Sequence, residues 1–278
     1  MRFLGKKTFH LVSLSGLLLL PVSSLQAAED EQTYAFPESF MARLAYYDIQ
    51  SADTDVSVAS NNGVSLGTFV SYTDDLGGDD SVSIPRLDMY YRFNPRHRIE
   101  FSYYRSERDG ERTLEIDAEF EGNEYSIGDT VRSEFDFELI RIGYGYSFYH
   151  SDTVELRFST GLNFSSYDLK LSNSDGSNRT ASDVTAPLPM FGLAVGYAIN
   201  EDWSIHYLSE TFFIEIDDDL KGSLFNYELN VQYRFLDHFV VGGGLTRVGT
   251  DLEASSDDWK GRINDSHKGF LFFLSYYI

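Results

Sequence analysis

The sequence has 278 residues, no cysteine, 44 acidic against 22 basic side chains, and 22 Phe, 19 Tyr and 2 Trp. A formal charge of −22 excludes a basic nucleic-acid binder, because it repels a phosphate backbone instead of displacing its counterions. The absence of cysteine excludes disulfide scaffolds, thiolate metal sites and a lipoprotein anchor, and an aromatic content of 15% argues against disorder.

At the N-terminus, Arg2, Lys6 and Lys7 precede an apolar run from Leu11 to Val22, and Ser23-Ser24-Leu25-Gln26-Ala27-Ala28 follows. This basic, apolar, small-residue order predicts a cleaved secretory signal peptide over residues 1–28, its apolar core too short to span a bilayer as a helix. The mature chain would carry 19 basic against 44 acidic residues, a net of −25. No later segment reaches the ~18 consecutive apolar residues of a transmembrane helix. The mature protein is therefore expected to be soluble outside the inner membrane or to cross a membrane by strands.

Residues 29–39 read as a periplasmic N-terminal segment. From Phe40 onward, apolar residues recur at every second position, the strand period. Phe225, Tyr227, Leu229, Val231, Tyr233 and Phe235 share one face, opposed by Asn226, Glu228, Asn230, Gln232 and Arg234. The chain ends on a similar strand, with Phe270, Phe272, Leu274, Tyr276 and Ile278 on one face. In a soluble sandwich the apolar face would be core; in a membrane barrel it would meet lipid and the polar face the lumen.

An internal repeat separates these readings. A Tyr-x-Phe/Ile triplet followed by turn residues occurs at Tyr91-Arg92-Phe93, Tyr146-Ser147-Phe148, Tyr197-Ala198-Ile199 and Tyr233-Arg234-Phe235, and Tyr276-Tyr277-Ile278 ends the chain. Four tight turns at one end and a terminus in the same layer define five descending strands, each needing an ascending partner. The spacing predicts an all-β fold: a transmembrane antiparallel up-and-down barrel over 40–278 with ten strands, or eight if one pair is a loop hairpin. The expected strands are 40–52, 82–93, 98–110, 132–148, 153–168, 186–199, 203–216, 223–235, 239–250 and 268–278. The triplet aromatics would form an interfacial girdle.

Charge is expected to sort by position. Residues 51–81 hold six carboxylates and no Lys or Arg, residues 106–136 hold eleven carboxylates against three Arg, and 210–224 form a further acidic connection. Alternation in 54–60, 64–70, 113–120 and 130–137 suggests hairpins continuing above the membrane. Such an acidic face stays solvated, and clustered carboxylates are also hard ligands for divalent cations, although no EF-hand spacing occurs. Inward-facing charges would be Arg43, Arg86, Asp88, Arg92, Glu100, Arg141, Glu155, Arg157, His206, Glu228 and Arg234, an ion-paired network in a narrow lumen.

With its signal peptide, repeated Tyr-x-Phe/Ile turns and terminal strand, the chain resembles the small single-chain β-barrels of the Gram-negative outer membrane. That resemblance implies residence in the outer membrane, contact with its lipid and lipopolysaccharide, and no cofactor. It also implies that Phe270, Phe272, Leu274, Tyr276 and Ile278 are read by the barrel-assembly machinery, with Ile278 standing where the family usually ends in an aromatic. The family includes pores, adhesins, lipid-modifying enzymes and surface proteases, so fold does not supply function.

Two enzyme patterns bear testing. The chain is similar in size and strand number to omptin surface proteases, in which paired Asp residues and an Asp-His dyad lie at the external rim; Asp79-Asp80 and Asp265-Ser266-His267 would take those roles. A lipid A deacylase needs a Ser-His pair, but His206 and Ser209 fall on opposite faces of a strand. His97, His150 and His238 read as turn residues, and Gly242-Gly243-Gly244 as barrel curvature, since no Walker or dinucleotide pattern accompanies them. No catalytic or metal residue is assigned. The expected function is a structural or narrow-pore role, with passage of small solutes or cations; a surface hydrolase and an adhesin are the alternatives.

Overall fold

A computed structural model describes residues 35–58, 68–120, 123–174, 176, 178–216, 220–255 and 260–278. The expected signal peptide, residues 29–34 and the turn at Asn61-Asn62-Gly63 lie outside the described residues.

Thirteen strands are described: β1 (Phe40–Val58), β2 (Val70–Ser71), β3 (Val82–Asn94), β4 (His97–Thr113), β5 (Ala118–Phe120), β6 (Asn123–Tyr125), β7 (Thr130–His150), β8 (Val154–Asn173), β9 (Arg179–Ala198), β10 (Trp203–Ile216), β11 (Leu220–Leu236), β12 (Phe239–Ser255) and β13 (Lys260–Tyr277). Ten of them pair antiparallel in the order β13-β12-β11-β10-β9-β8-β7-β4-β3-β1, and β13 pairs back onto β1. Leu44 faces Leu274 on one side and Leu87 on the other, so the ladder closes and no edge is left for lipid to meet. Ten strands and not eight form the wall.

The repeat explains the turns. In three copies the ladder slips at the third residue, between Arg92 and Asn94, Ser147 and Tyr149, and Arg234 and Leu236. Phe93, Phe148 and Phe235 are thus the extra residues of β-bulges, which bend the strand into its turn and aim the ring outward. The central Arg points inward: Arg92 Nη1 donates to Pro95 O at 2.7 Å and Arg234 Nη1 to Asp237 O at 2.8 Å, satisfying turn carbonyls.

Outward residues form an apolar belt that makes the barrel transmembrane. On β13 it runs Tyr276, Leu274, Phe272, Phe270, with Ile278 just beyond the strand; on β1 it includes Leu44 and Tyr46; on β9 it includes Tyr197, Val195, Leu193 and Phe191. About 9–11 tilted residues cross a bilayer, whereas β7, β8 and β9 have 21, 20 and 20. The surplus rises beyond the belt at the end opposite the short turns. The expected strand 203–216 is β10, so residues 210–216 of the acidic connection 210–224 belong to the wall, and β11 begins at Leu220.

Candidate functional site

The barrel interior has two storeys. At the level of the belt it is ionic, because the inward parity of each strand selects charged residues. Arg43 Nη1 and Arg86 Nη2 both reach Glu228, at 3.3 and 3.1 Å, and Arg86 Nε donates to Asp88 at 3.0 Å. Glu100 takes Arg98 at 2.7 Å, Arg141 at 3.0 Å and Arg157 at 3.1 Å. Arg141 also pairs with Glu210, and Arg92 with Glu155 at 2.9 Å. The Arg43 guanidinium lies over the Phe273 ring at 4.0 Å, and Arg98 over Tyr90 at 4.4 Å. A cavity of about 130 Å³ remains among these groups.

All eleven residues singled out by parity line the interior, and ten of them join in ion pairs. His206 stands apart: Nε2 lies 3.0 Å from Ser204 Oγ, and its ring meets Phe36 with centroids 4.9 Å apart. Sequence reasoning missed Arg98 and Glu210, although they share the inward parity of Glu100 and His206. Glu210 is only 1% exposed and holds Arg141, Ser159 and Asn226. The segment before β1 closes the short-turn mouth: Ala35 N donates to Ser151 O at 2.8 Å, the Phe36 ring packs at a tilt against His206, and Glu38 pairs with Arg234.

Above the belt the interior is aromatic. Tyr47, Tyr104, Phe135, Phe137 and Tyr167 point inward from β1, β4, β7 and β8 and form one core with Phe273 and Leu271. The β1–β3 connection folds over this core. Tyr72 and Leu76 insert into it, Tyr72 Oη donates to Arg108 O at 2.6 Å, and Gly78 bridges to Gly110. A Cβ on Gly78 would stand 1.9 Å from the Tyr72 ring, so glycine is required for this close approach. Burial pushes the Tyr72 phenol up to about 12, partly offset by Ser133 and the nearby Arg108. The β5–β6 hairpin adds Phe120 and Tyr125 from the other side.

The Asp265-Ser266-His267 motif lies inside this core, not at an open rim. Asp265 and His267 are each 4% exposed. His267 Nδ1 is 3.3 Å from Asp265 Oδ2, and its Nε2 is 3.3 Å from Tyr104 Oη. Thr54 donates to Asp265 at 2.7 Å and receives a bond from Arg108 at 2.6 Å. Asp79 and Asp80 are exposed; their backbone carbonyls accept from Arg108 and Ala52. These bonds make Asp265 a structural acceptor at least as much as an orienter of His267. His206 and Ser209 lie three positions apart on β10 and so on opposite faces, with His206 turned to the cavity. Among the described residues, no group of three His, Asp or Glu side chains is placed to hold a metal ion.

A solved structure shares this fold. The chain is similar to the outer membrane protease OmpT from Escherichia coli, with a TM-score of 0.53 and 12% identity over 88% of this chain and 98% of OmpT. It also matches Ail of Yersinia pestis at a TM-score of 0.38 and 11% identity over 84% of this chain and 99% of Ail. OprG from Pseudomonas aeruginosa matches at 0.37 and 10% over 89% and 98%. At 12% identity the likeness to OmpT concerns the fold alone. No family model matches the sequence, and no curated protein does.

Proposed function

We propose that this chain is an exported, integral outer-membrane protein whose barrel is sealed, and whose role is structural: it holds a rigid acidic surface outside the membrane. The observation that carries this reading is the aromatic core of Tyr47, Tyr72, Tyr104, Phe135, Phe137 and Tyr167 filling the lumen above the ionic storey. A conducting path needs a continuous polar passage, and this core interrupts it. The small cavity beneath is closed by Phe36 on one side and bounded by ion-paired arginines on the other. Burial of the Asp265–His267 pair supports a non-enzymatic reading, since a substrate at the surface would have to displace Tyr72 and Leu76 to reach it. The terminal strand from Phe270 to Ile278 would serve as the assembly signal.

Proteoliposome swelling tests the proposal. Liposomes carrying the refolded protein should swell in small sugars no faster than empty ones, whereas rapid size-dependent swelling would restore the narrow-pore role.

A further inference from the structure

The ionic storey carries one more positive charge than negative. Arg43 and Arg86 share Glu228, and Asp88 also holds Arg86. Arg98, Arg141 and Arg157 share Glu100, and Glu210 also holds Arg141. Arg92 takes Glu155. Six guanidinium groups thus face five carboxylates, and none of these side chains is more than 12% exposed. The charges on either side cancel among themselves, Glu38 with Arg234 at the short-turn mouth and Asp265 with Arg108 in the aromatic storey. His206, on the cavity wall, can add positive charge but not negative. A buried charge left over in this way is heavily penalised unless an ion of opposite sign answers it.

The surplus falls on Arg157. Its Nε lies 3.1 Å from Glu100 Oε1 without the geometry of a hydrogen bond, and among the described residues the guanidinium donates to no acceptor. Glu155, on the same cavity wall, turns one oxygen to Arg92 and Ser147 and forms no ion pair with Arg157. Arg98 lies alongside. A Cβ on Gly145 would stand 2.7 Å from Arg157 Cδ and 3.2 Å from Arg98 Cγ, so this glycine lets two like-charged stems pack side by side. Both line the cavity of about 130 Å³, with Arg43 across from them on β1.

We infer that this cavity is the binding site of one small monovalent anion of the size of chloride, held by the Arg157 and Arg98 guanidinium groups. Charge sets the valence: one negative charge balances the storey, whereas a doubly charged sulfate or phosphate would leave it negative beside Glu100 and Glu155. The volume admits a chloride with a few waters. Guanidinium is weakly hydrated and presents fixed N–H donors, which suits chloride or bromide better than strongly hydrated fluoride. The bound anion would complete the network that ties opposite walls together. The site depends on the closed wall and not on the aromatic seal above it, so it is tested separately from the structural role.

The test refolds and crystallises the full mature chain with sodium bromide as the only halide and records anomalous scattering at the bromine edge. A bromide peak should lie within hydrogen-bonding reach of Arg157 and Arg98; its absence would overturn the site. R157Q, which removes the surplus charge, should lose the peak, and a peak that persists would overturn the charge argument. In solution, the urea-unfolding midpoint of protein refolded at constant ionic strength should rise as chloride replaces gluconate, an anion too large for the cavity, and should level off once the site fills. R157Q should show a flat midpoint across the same series. A bromide peak without this saturable rise would mean binding at crystal concentration only and would overturn the site. If R157Q does not refold, the wild-type peak and the wild-type chloride series decide, and the lack of either overturns the inference. A barrel that passes both tests yet conducts would refute the sealed lumen and leave the anion site standing.

Discussion

Arg86 on β3 and Glu228 on β11 meet at 3.1 Å although three strands, β1, β13 and β12, separate them along the shorter way round the wall. The contact spans the lumen and fixes opposite walls of the barrel to each other. Glu228 simultaneously holds Arg43 at 3.3 Å and accepts from Asn230 at 2.9 Å, so one carboxylate neutralises two buried guanidinium groups.

Removing that carboxylate strands Arg43 and leaves Arg86 with Asp88 alone. Glu228→Leu should destabilise the barrel by about 3–5 kcal/mol, the usual cost of leaving a buried charge uncompensated. Adding Arg43→Met, which removes the cation left without a carboxylate, should recover a large part of the loss. Reversible urea unfolding of the refolded protein measures both; a single variant as stable as the wild type would show that the lumen solvates these charges.

The strap over the aromatic core depends on Gly78. Gly78→Val drives a side chain into the Tyr72 ring, which lies 1.9 Å from where a Cβ would stand. The strap should lift while the wall persists. Limited proteolysis should then cut the folded variant within residues 68–80 and leave the wild type intact there, with heat-modifiable gel migration preserved in both.

His267 is enclosed by Tyr47, Tyr104 and Phe137, with ring centroids 5.8, 6.2 and 5.9 Å away. Diethyl pyrocarbonate should modify half-exposed His97 in the folded protein and spare His267 until denaturation. Rapid modification of both would mean that the core opens to solvent and would revive a rim hydrolase.

Asp55, on β1 beyond the belt, has its carboxyl raised above the ordinary value by burial and then by Asp53, Asp75 and Asp74. For an acid raised in the folded state, the unfolded chain deprotonates first as pH rises. Stability is therefore lost through that window, and the cost is complete above the raised value. Asp55→Asn should raise Tm at pH 7, and the difference should vanish near about pH 3, below the ordinary carboxylate range. Equal Tm values at pH 7 would show that the acidic neighbours are screened.

Strand number and turn positions were legible because lipid and closure act on every strand locally. Period-two alternation selects Leu274 outward and Ser275 inward, and the Tyr-x-Phe triplets mark bulged turns. The aromatic storey was not legible in the same way. Tyr72, Leu76, Phe120 and Tyr125 come from connections, and alternation does not say which surface a connection will cover. Alternation around 51–81 and 106–136 indicates strands continuing above the membrane, but not that Tyr72, Leu76, Phe120 and Tyr125 turn back into the mouth while Phe69, Ile116 and Ile127 stay exposed. Glu210 was hidden for a simpler reason: the end of β10 was expected at 216, yet its acid was counted with a loop, and the parity from His206 was not followed.

The central claim is that the lumen is sealed by two storeys of side chains, and single-channel recording in planar bilayers tests it most directly. Inserted wild-type protein, with insertion verified by heat-modifiable migration, should show no stable conductance steps at neutral pH. Reproducible, long-lived open steps from the wild-type barrel would contradict the sealed lumen and the structural role built on it.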